Sequence, residues 1–370
     1  MPTILDGGRL TRVREGMTER GVDALVLGPG PDLLYVAGYA AHTSERLTAL
    51  VAGLVGTPQL VLPQLEVEGA RLHASALDLV AWSEHEDPAT LVADRLRELR
   101  SDSDGPLTIA VGDHLWSVFL LRLQSAMPQV EWLPASEVVA PARLVKSGEE
   151  IALLRRAASA ADRVWEQVSR EPLEGLTERV VAARVADHLL AEGAEDVAFN
   201  IVASGPHSAA PHHSPGDRVL QNGDMLVLDY GGTLQGYHSD ITRTLSIGPA
   251  SEEQRRVYAA VQEAQERAVQ AVRPGVAVGE VDRAARSYLE EAGLAQYFVH
   301  RTGHGLGLET HEPPYIIEGG EDVLQEGMVF SVEPGVYIPG EFGVRIEDIV
   351  VVGPTGGERL NNAGRILLEV

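Results

Sequence analysis

The chain has 370 residues, too many for one average domain and comfortable for two. An apolar content of 44% and a mean hydropathy of −0.03 indicate a soluble globular protein, and the absence of cysteine excludes disulfides and thiolate metal sites. A formal charge of −24, from 54 acidic against 30 basic residues, argues against a nucleic-acid partner, which needs a basic patch, and fits a solvated acidic exterior.

The opening Met1-Pro-Thr-Ile-Leu-Asp-Gly-Gly-Arg lacks the charged start and apolar stretch of a signal peptide. No later apolar run reaches membrane-spanning length, so a cytoplasmic location without membrane contact is expected. Residues 1 to about 140 then alternate short apolar runs with helical patterns. Leu10–Arg20 reads as a helix and Ala24-Leu-Val-Leu as a strand. Ala49–Val55 and Gln59–Leu62 read as a strand pair around Gly56-Thr-Pro, with further strands at Leu77–Val80 and Thr108–Val111. Asp87 caps a helix that starts with Pro88 and runs to Arg100. Such alternation implies an α/β domain.

Leu133–Arg143 carries two prolines and marks the boundary, which divides the chain into 1–143 and 144–370. From Glu149, apolar residues recur at Ile151, Leu154, Ala158, Ala161, Trp165 and Val168, one face of a helix. A second helix runs from Thr177 to Gly193. A third starts at Ser251 with Gln254 three residues on and runs to Arg273-Pro-Gly, and a fourth spans about 278 to 293. The rest is β-rich. Met225–Asp229 and Tyr237–Ile247 read as a hairpin around Gly231–Gly236, and Met328–Val332 with Val344–Val352 as a second pair.

Each strand pair bears two carboxylates: Asp229 and Asp240 on the first, Glu333 and Glu347 on the second. Two such pairs suggest a pseudo-duplicated domain. With His304, in Gly303-His-Gly-Leu-Gly, they form a hard, oxygen-rich ligand set suited to two divalent cations of the manganese, cobalt or zinc kind. Taken singly these residues are unremarkable. Asp229 before Gly231-Gly232 fits a turn, Asp240 an exposed hairpin, Glu333 before Pro334 a turn, and Glu347 a partner for Arg345. In this order and with these neighbours they are a set, since a carboxylate ending an apolar strand is costly to bury unless paired or metal-bound. Seven of the 12 histidines lie between 207 and 311, denser than random scatter. His207, His213 and His238 are read as structural.

These motifs carry a family resemblance. The chain resembles the pita-bread metallopeptidases, in the Xaa-Pro dipeptidase (prolidase) and aminopeptidase P branch, over essentially its whole length. Arg143-Leu-Val-Lys-Ser-Gly-Glu-Glu-Ile is similar to the start of that family's catalytic domain, and Leu34-Tyr-Val-Ala-Gly-Tyr to its creatinase-type N-terminal domain. The ligand signatures match in order and spacing, with eleven positions from Asp229 to Asp240 and fourteen from Glu333 to Glu347. The fold implied is an α/β creatinase-type N-terminal domain plus an α+β pita-bread domain, an antiparallel sheet flanked by helices.

The resemblance implies roles. Asp229 chelates one metal and His304 the other. Asp240 and Glu347 bridge both. Glu333 binds the second metal and acts on the bridging water. His212 and His311 match substrate-facing catalytic histidines, and His300 a further active-site histidine. Arg301 and Arg345 are candidates to hold a substrate carboxylate, Arg345 equally one to buttress the metal carboxylates. The N-terminal domain implies a homodimer, with His42-Thr-Ser-Glu-Arg as a loop at the active-site mouth. The expected activity is hydrolysis of the Xaa-Pro bond in dipeptides by a water that two metals activate. The alternatives are an aminopeptidase P acting on longer Xaa-Pro peptides and a catalytically idle binding protein on the same fold.

Overall fold

The computed structural model describes residues 7–74, 76–99 and 106–370. The chain divides into two compact units, Met1–Arg143 and Leu144–Val370.

In the first unit, six strands form one mixed sheet in the order β4-β3-β2-β1-β5-β6. They are β1 (Ala24–Leu27), β2 (Ala49–Gly53), β3 (Gln59–Pro63), β4 (Asp78–Trp82), β5 (Thr108–Val111) and β6 (Glu131–Pro134). Helices α1 (Gly7–Arg20), α2 (Pro31–Ala37), α3 (Val67–His73), α4 (Pro88–Glu98), α5 (Ser117–Ala126) and α6 (Ser136–Leu144) precede, connect and follow them. The central strands β1 and β2 are buried at every position, which is why they read as continuous apolar runs. Asp87 caps α4 by accepting from Ala89 N, and α4 ends at Glu98; the expected end at Arg100, like the opening Met1–Asp6, lies outside the described residues. Leu133–Arg143 is not a bare linker. It ends β6 and forms α6, which accommodates Pro141.

The second unit is two helix-backed antiparallel halves. The first holds α7 (Gly148–Val168), α8 (Glu178–Ala191), β7 (Asp196–Ser204), β8 (Met225–Leu234), β9 (Tyr237–His238) and β10 (Ile241–Ser246). The second holds α9 (Glu252–Ala271), α10 (Val278–Glu291), β11 (Gly303–Gly305), β12 (Glu312–Ile316), β13 (Val329–Val332), β14 (Gly335–Ile338), β15 (Phe342–Arg345), β16 (Asp348–Val352) and β17 (Gly357–Arg359). Each half has its own apolar core. Val164, Trp165, Val185 and Leu228 belong to one, and Val261, Val281, Phe330 and Val350 to the other. Reciprocal capping boxes start α7 at Ser147/Glu150 and α9 at Ser251/Gln254.

Beside the proposed ligand residues, three strand boundaries differ from the sequence reading. β8 runs on through Gly231 and Gly232 to Leu234, because Gln235 and Gly236, both at positive φ, make the turn alone. The strand expected over Tyr237–Ile247 breaks at Ser239-Asp240. The one expected over Val344–Val352 breaks at Ile346-Glu347, so β15 pairs with β14 while β16 pairs with β13. In both halves the break falls on an acidic residue of the proposed ligand set.

Candidate active site

β8 sends Leu226, Leu228 and Tyr230 into the core of the first half. The pleat therefore turns Asp229 to the opposite face. Thr242 of β10 stands directly across from Asp229, and Asp240, two residues before Thr242, continues that face. The second half uses the same device. Val332 of β13 pairs with Asp348 of β16, so Glu333 just after one strand and Glu347 just before the other come together. Glu347 N donates to Thr242 O at 3.1 Å, which ties the two halves at the site.

β11 adds His304. A β-carbon at Gly303 would collide with the Ser331 carbonyl, and one at Gly305 with the Pro313 carbonyl, so glycine on both sides lets this strand approach its neighbours. His304 Nδ1 donates to the Gly305 carbonyl at 3.1 Å. That orients the ring and leaves Nε2 3.3 Å from Glu333 Oε1 and 3.8 Å from Asp240 Oδ2. Asp240, His304 and Glu347 offer ligand atoms that all lie within 4.8 Å of one another.

The electrostatics fit divalent cations. Asp229 Oδ1 and Glu347 Oε1 are buried without a hydrogen-bond partner among the described residues. Burial raises the pKa of Asp229, Asp240 and Glu347, and neighbouring carboxylates push the same way; Arg345 beside Asp229 and His304 beside Asp240 oppose it. Glu333 behaves differently. Burial would raise it too, but the hydrogen bond and charge of His304 bring it down to about 2. Buried carboxylates that repel one another, two of them with oxygens unclaimed among the described residues, beside an imidazole Nε2, form a donor set that positive charge completes.

Arg345 is buried among these groups. Its Nη2 donates to Asp229 Oδ2 at 2.5 Å and Pro211 O at 3.3 Å, its Nη1 to Tyr337 Oη at 2.6 Å, and its Nε to Thr242 Oγ1 at 3.1 Å. Thr242 Oγ1 donates onward to Glu347 Oε2 at 2.6 Å. A guanidinium engaged through all three nitrogens orients Asp229; it is not free to reach for a substrate carboxylate.

A cavity of about 830 Å³ opens over the carboxylates, and every acidic and basic residue singled out above for metal or substrate lines it. His212 borders it with an imidazole that has no hydrogen bond to another described residue. The His311 ring lies 3.9 Å from that of His304, and its pKa is lowered to about 4 by burial and then by the charges of His304 and Arg301. His300 has both nitrogens committed: Nδ1 donates to Arg301 O at 2.7 Å, so Nε2 accepts from Tyr337 Oη at 2.9 Å. Arg301 lies over the Tyr315 ring at 4.3 Å and has no ion pair among the described residues. Phe199, Ile201 and Ile317 supply apolar walls. His207 and His213 stand elsewhere, against Glu178, and His238 Nδ1 lies 3.2 Å from Gly307 O. Sequence reading missed Thr242 and Tyr337. Thr242 had a signal, since it follows Asp240 by one strand period; Tyr337 had none.

Comparison with known proteins bears on the fold and the family. Residues 152–354 match the family model described as Metallopeptidase family M24, and residues 9–145 match that of the Creatinase/Prolidase N-terminal domain. The chain is 45% identical over 366 residues to the probable dipeptidase PepE of Mycobacterium tuberculosis, covering 98% of this chain and 96% of that protein. It is 36% identical over 361 residues to the Xaa-Pro dipeptidase of Pyrococcus furiosus, covering 97% and 99%. Among solved structures, the recombinant prolidase from Thermococcus sibiricus superposes with a TM-score of 0.93 at 37% identity, over 98% of each chain. With its ligand-type residues gathered between two antiparallel halves of a pita-bread fold, the chain belongs to metallopeptidase family M24.

Proposed function

We propose that the chain is a metal-dependent Xaa-Pro dipeptidase that works with two divalent cations per subunit, manganese first among them. The observation that carries this reading is the convergence of Asp229, Asp240, His304, Glu333 and Glu347 on one cavity, with oxygens of Asp229 and Glu347 unclaimed among the described residues. These five would hold the cations, Asp240, His304 and Glu347 offering ligand atoms within 4.8 Å of one another. When bound, such a pair supplies Lewis acidity and lowers the pKa of water.

The chain's own groups supply the rest. Glu333 takes a proton on a carboxylate oxygen from the water that attacks the scissile carbonyl carbon. It returns a proton to the imide nitrogen as the C–N bond breaks, releasing the Xaa residue and free proline. His311 donates a hydrogen bond to the carbonyl oxygen as charge develops there. His212 serves the leaving nitrogen, which in an Xaa-Pro bond carries no hydrogen and must gain one. Arg345 and Thr242 hold Asp229 and Glu347 in place, and His300 braces the same network through Tyr337. Phe199, Ile201 and Ile317 suit a prolyl ring.

Arg301 favours a dipeptide over the longer substrates of an aminopeptidase P. Its guanidinium on the cavity wall, without an ion pair among the described residues, suits a proline carboxylate, which in a longer peptide is an amide. The names of the similar proteins, a probable dipeptidase, an Xaa-Pro dipeptidase and a prolidase, support the same choice. We also expect a cytoplasmic homodimer, which light scattering of active protein would test. No described helix is long and apolar enough to cross a membrane.

The deciding experiment compares hydrolysis of Ala-Pro, Ala-Pro-Ala and Ala-Ala with added manganese. Ala-Pro is expected to be the best substrate. Faster cleavage of Ala-Pro-Ala identifies an aminopeptidase P, and no cleavage with no bound metal identifies a binding protein.

A further inference from the structure

Beside the cavity, Glu178, Ser204, His207, His213 and Gly216 form a second meeting of carboxylate and imidazole. Glu178 opens α8 and has no solvent exposure. Its Oε1 accepts from Ser204 N at 2.9 Å, Ser204 Oγ at 2.8 Å and His207 Nδ1 at 3.0 Å. Its Oε2 accepts from His213 Nε2 at 2.8 Å and Gly216 N at 3.1 Å. Glu178, His207 and His213 have the residue types and spacing of a metal site. The carboxylate, however, is already saturated by donors, and Arg218 donates to Ser204 Oγ at 2.7 Å beside it. It is a hydrogen-bond hub.

The hub grips the chain at Ser204, His207, His213 and Gly216. Between the second and third of these lie Pro211 and His212. Pro211 O is held in turn by Arg345, the residue that holds Asp229. The His212 segment is thus pinned on one side to Glu178 and on the other to the metal face.

The second half has a counterpart. Asp282 of α10, also without solvent exposure, accepts from Thr302 N at 3.1 Å and Thr302 Oγ1 at 2.8 Å, two residues before His304. In each half a buried helix carboxylate clamps the backbone amide and hydroxyl of one residue on a segment that delivers a cavity histidine. This correspondence points to positioning as the purpose of both.

We propose that Glu178 is a positioning residue that acts on the reaction through His212. The proposal rests on the reading of His212 as a substrate-facing group. The test is a double-mutant cycle between Glu178→Gln and His212→Ala in manganese-loaded full-length protein, with metal content measured and with amide hydrogen exchange of residues 204–216. Glu178→Gln keeps the side chain's shape but turns a donor toward the hub. It should lower kcat on Ala-Pro about tenfold or more, with KM changed less than about twofold and metal content unchanged. In the His212→Ala background the same change should add less than about twofold. Exchange at Ser204 and Gly216 should quicken in the variant.

Equal effects in both backgrounds, a His212→Ala variant with full activity, loss of metal from Glu178→Gln, or unchanged exchange at 204–216 would each overturn the proposal. If the wild-type protein cleaves no Xaa-Pro bond, the dipeptidase reading fails by itself, and the exchange measurement alone decides whether Glu178 holds the segment.

Discussion

At Glu178 one buried carboxylate accepts from two backbone amides, a hydroxyl and two imidazoles, and its pKa falls to about 2 although burial opposes the shift. At Asp229, Asp240 and Glu347 buried carboxylates face one another, two keep an oxygen without a hydrogen-bond partner among the described residues, and burial drives all three pKa values up. Both places combine acid and histidine at ligand spacing. What separates them is whether the protein itself satisfies the negative charge. A carboxylate with every lone pair claimed is finished as architecture, whereas one left short is waiting for a cation.

The largest expected effect breaks the unsatisfied cluster. Asp240→Ala or Glu347→Ala should lower Ala-Pro turnover by at least about a hundredfold and reduce metal content, with circular dichroism unchanged. Near-normal turnover with full metal content would remove both residues from the ligand set.

The histidines sharpen the contrast next. His304→Ala should lose metal occupancy, because its Nε2 faces Glu333 and Asp240. His212→Ala and His311→Ala should lower turnover by about tenfold or more while metal stays bound. If His311→Ala lost a metal and His304→Ala did not, the two assignments would be exchanged. Metal stoichiometry measured beside kinetics decides it.

Much of this site was legible in the sequence, for a physical reason. A carboxylate closing the apolar run Met225–Leu228 must be buried, and burial demands a partner. The strand period then put Asp240 on the face of Asp229. The strand breaks at Ser239-Asp240 and Ile346-Glu347 were not legible, because apolar residues stand on either side of each, Tyr237 and Ile241 at one and Val344 and Ile349 at the other, and the break shows only in the strand pairing. β6 and α6 were hidden by Pro134, which ends the strand, and by Pro141, which stands inside the helix. Glu178 and Tyr337 were invisible for another reason. Their importance lies in partners such as Ser204, His213 and His300, which only folding brings near.

The smallest effects concern stability. Glu178→Gln should cost about 2–4 kcal/mol, since it leaves buried donors facing a donor. The sign with pH follows from a folded value of about 2 against the ordinary 4.5. The contribution of Glu178 is complete above the ordinary value and is lost as pH falls toward the folded one. The gap in Tm between wild type and Glu178→Gln should therefore hold constant above about pH 5 and narrow toward pH 2. A gap that widened on acidification would show that the carboxylate is not stabilised by its hub.

Removal and return of metal tests the account most directly. Wild-type protein should carry two divalent cations per chain. Chelated protein verified to be metal-free should lose Ala-Pro hydrolysis while keeping its fold, and manganese should restore it together with that stoichiometry. Full activity in verified metal-free protein would contradict the claim that the unsatisfied carboxylates exist to hold a catalytic cation pair.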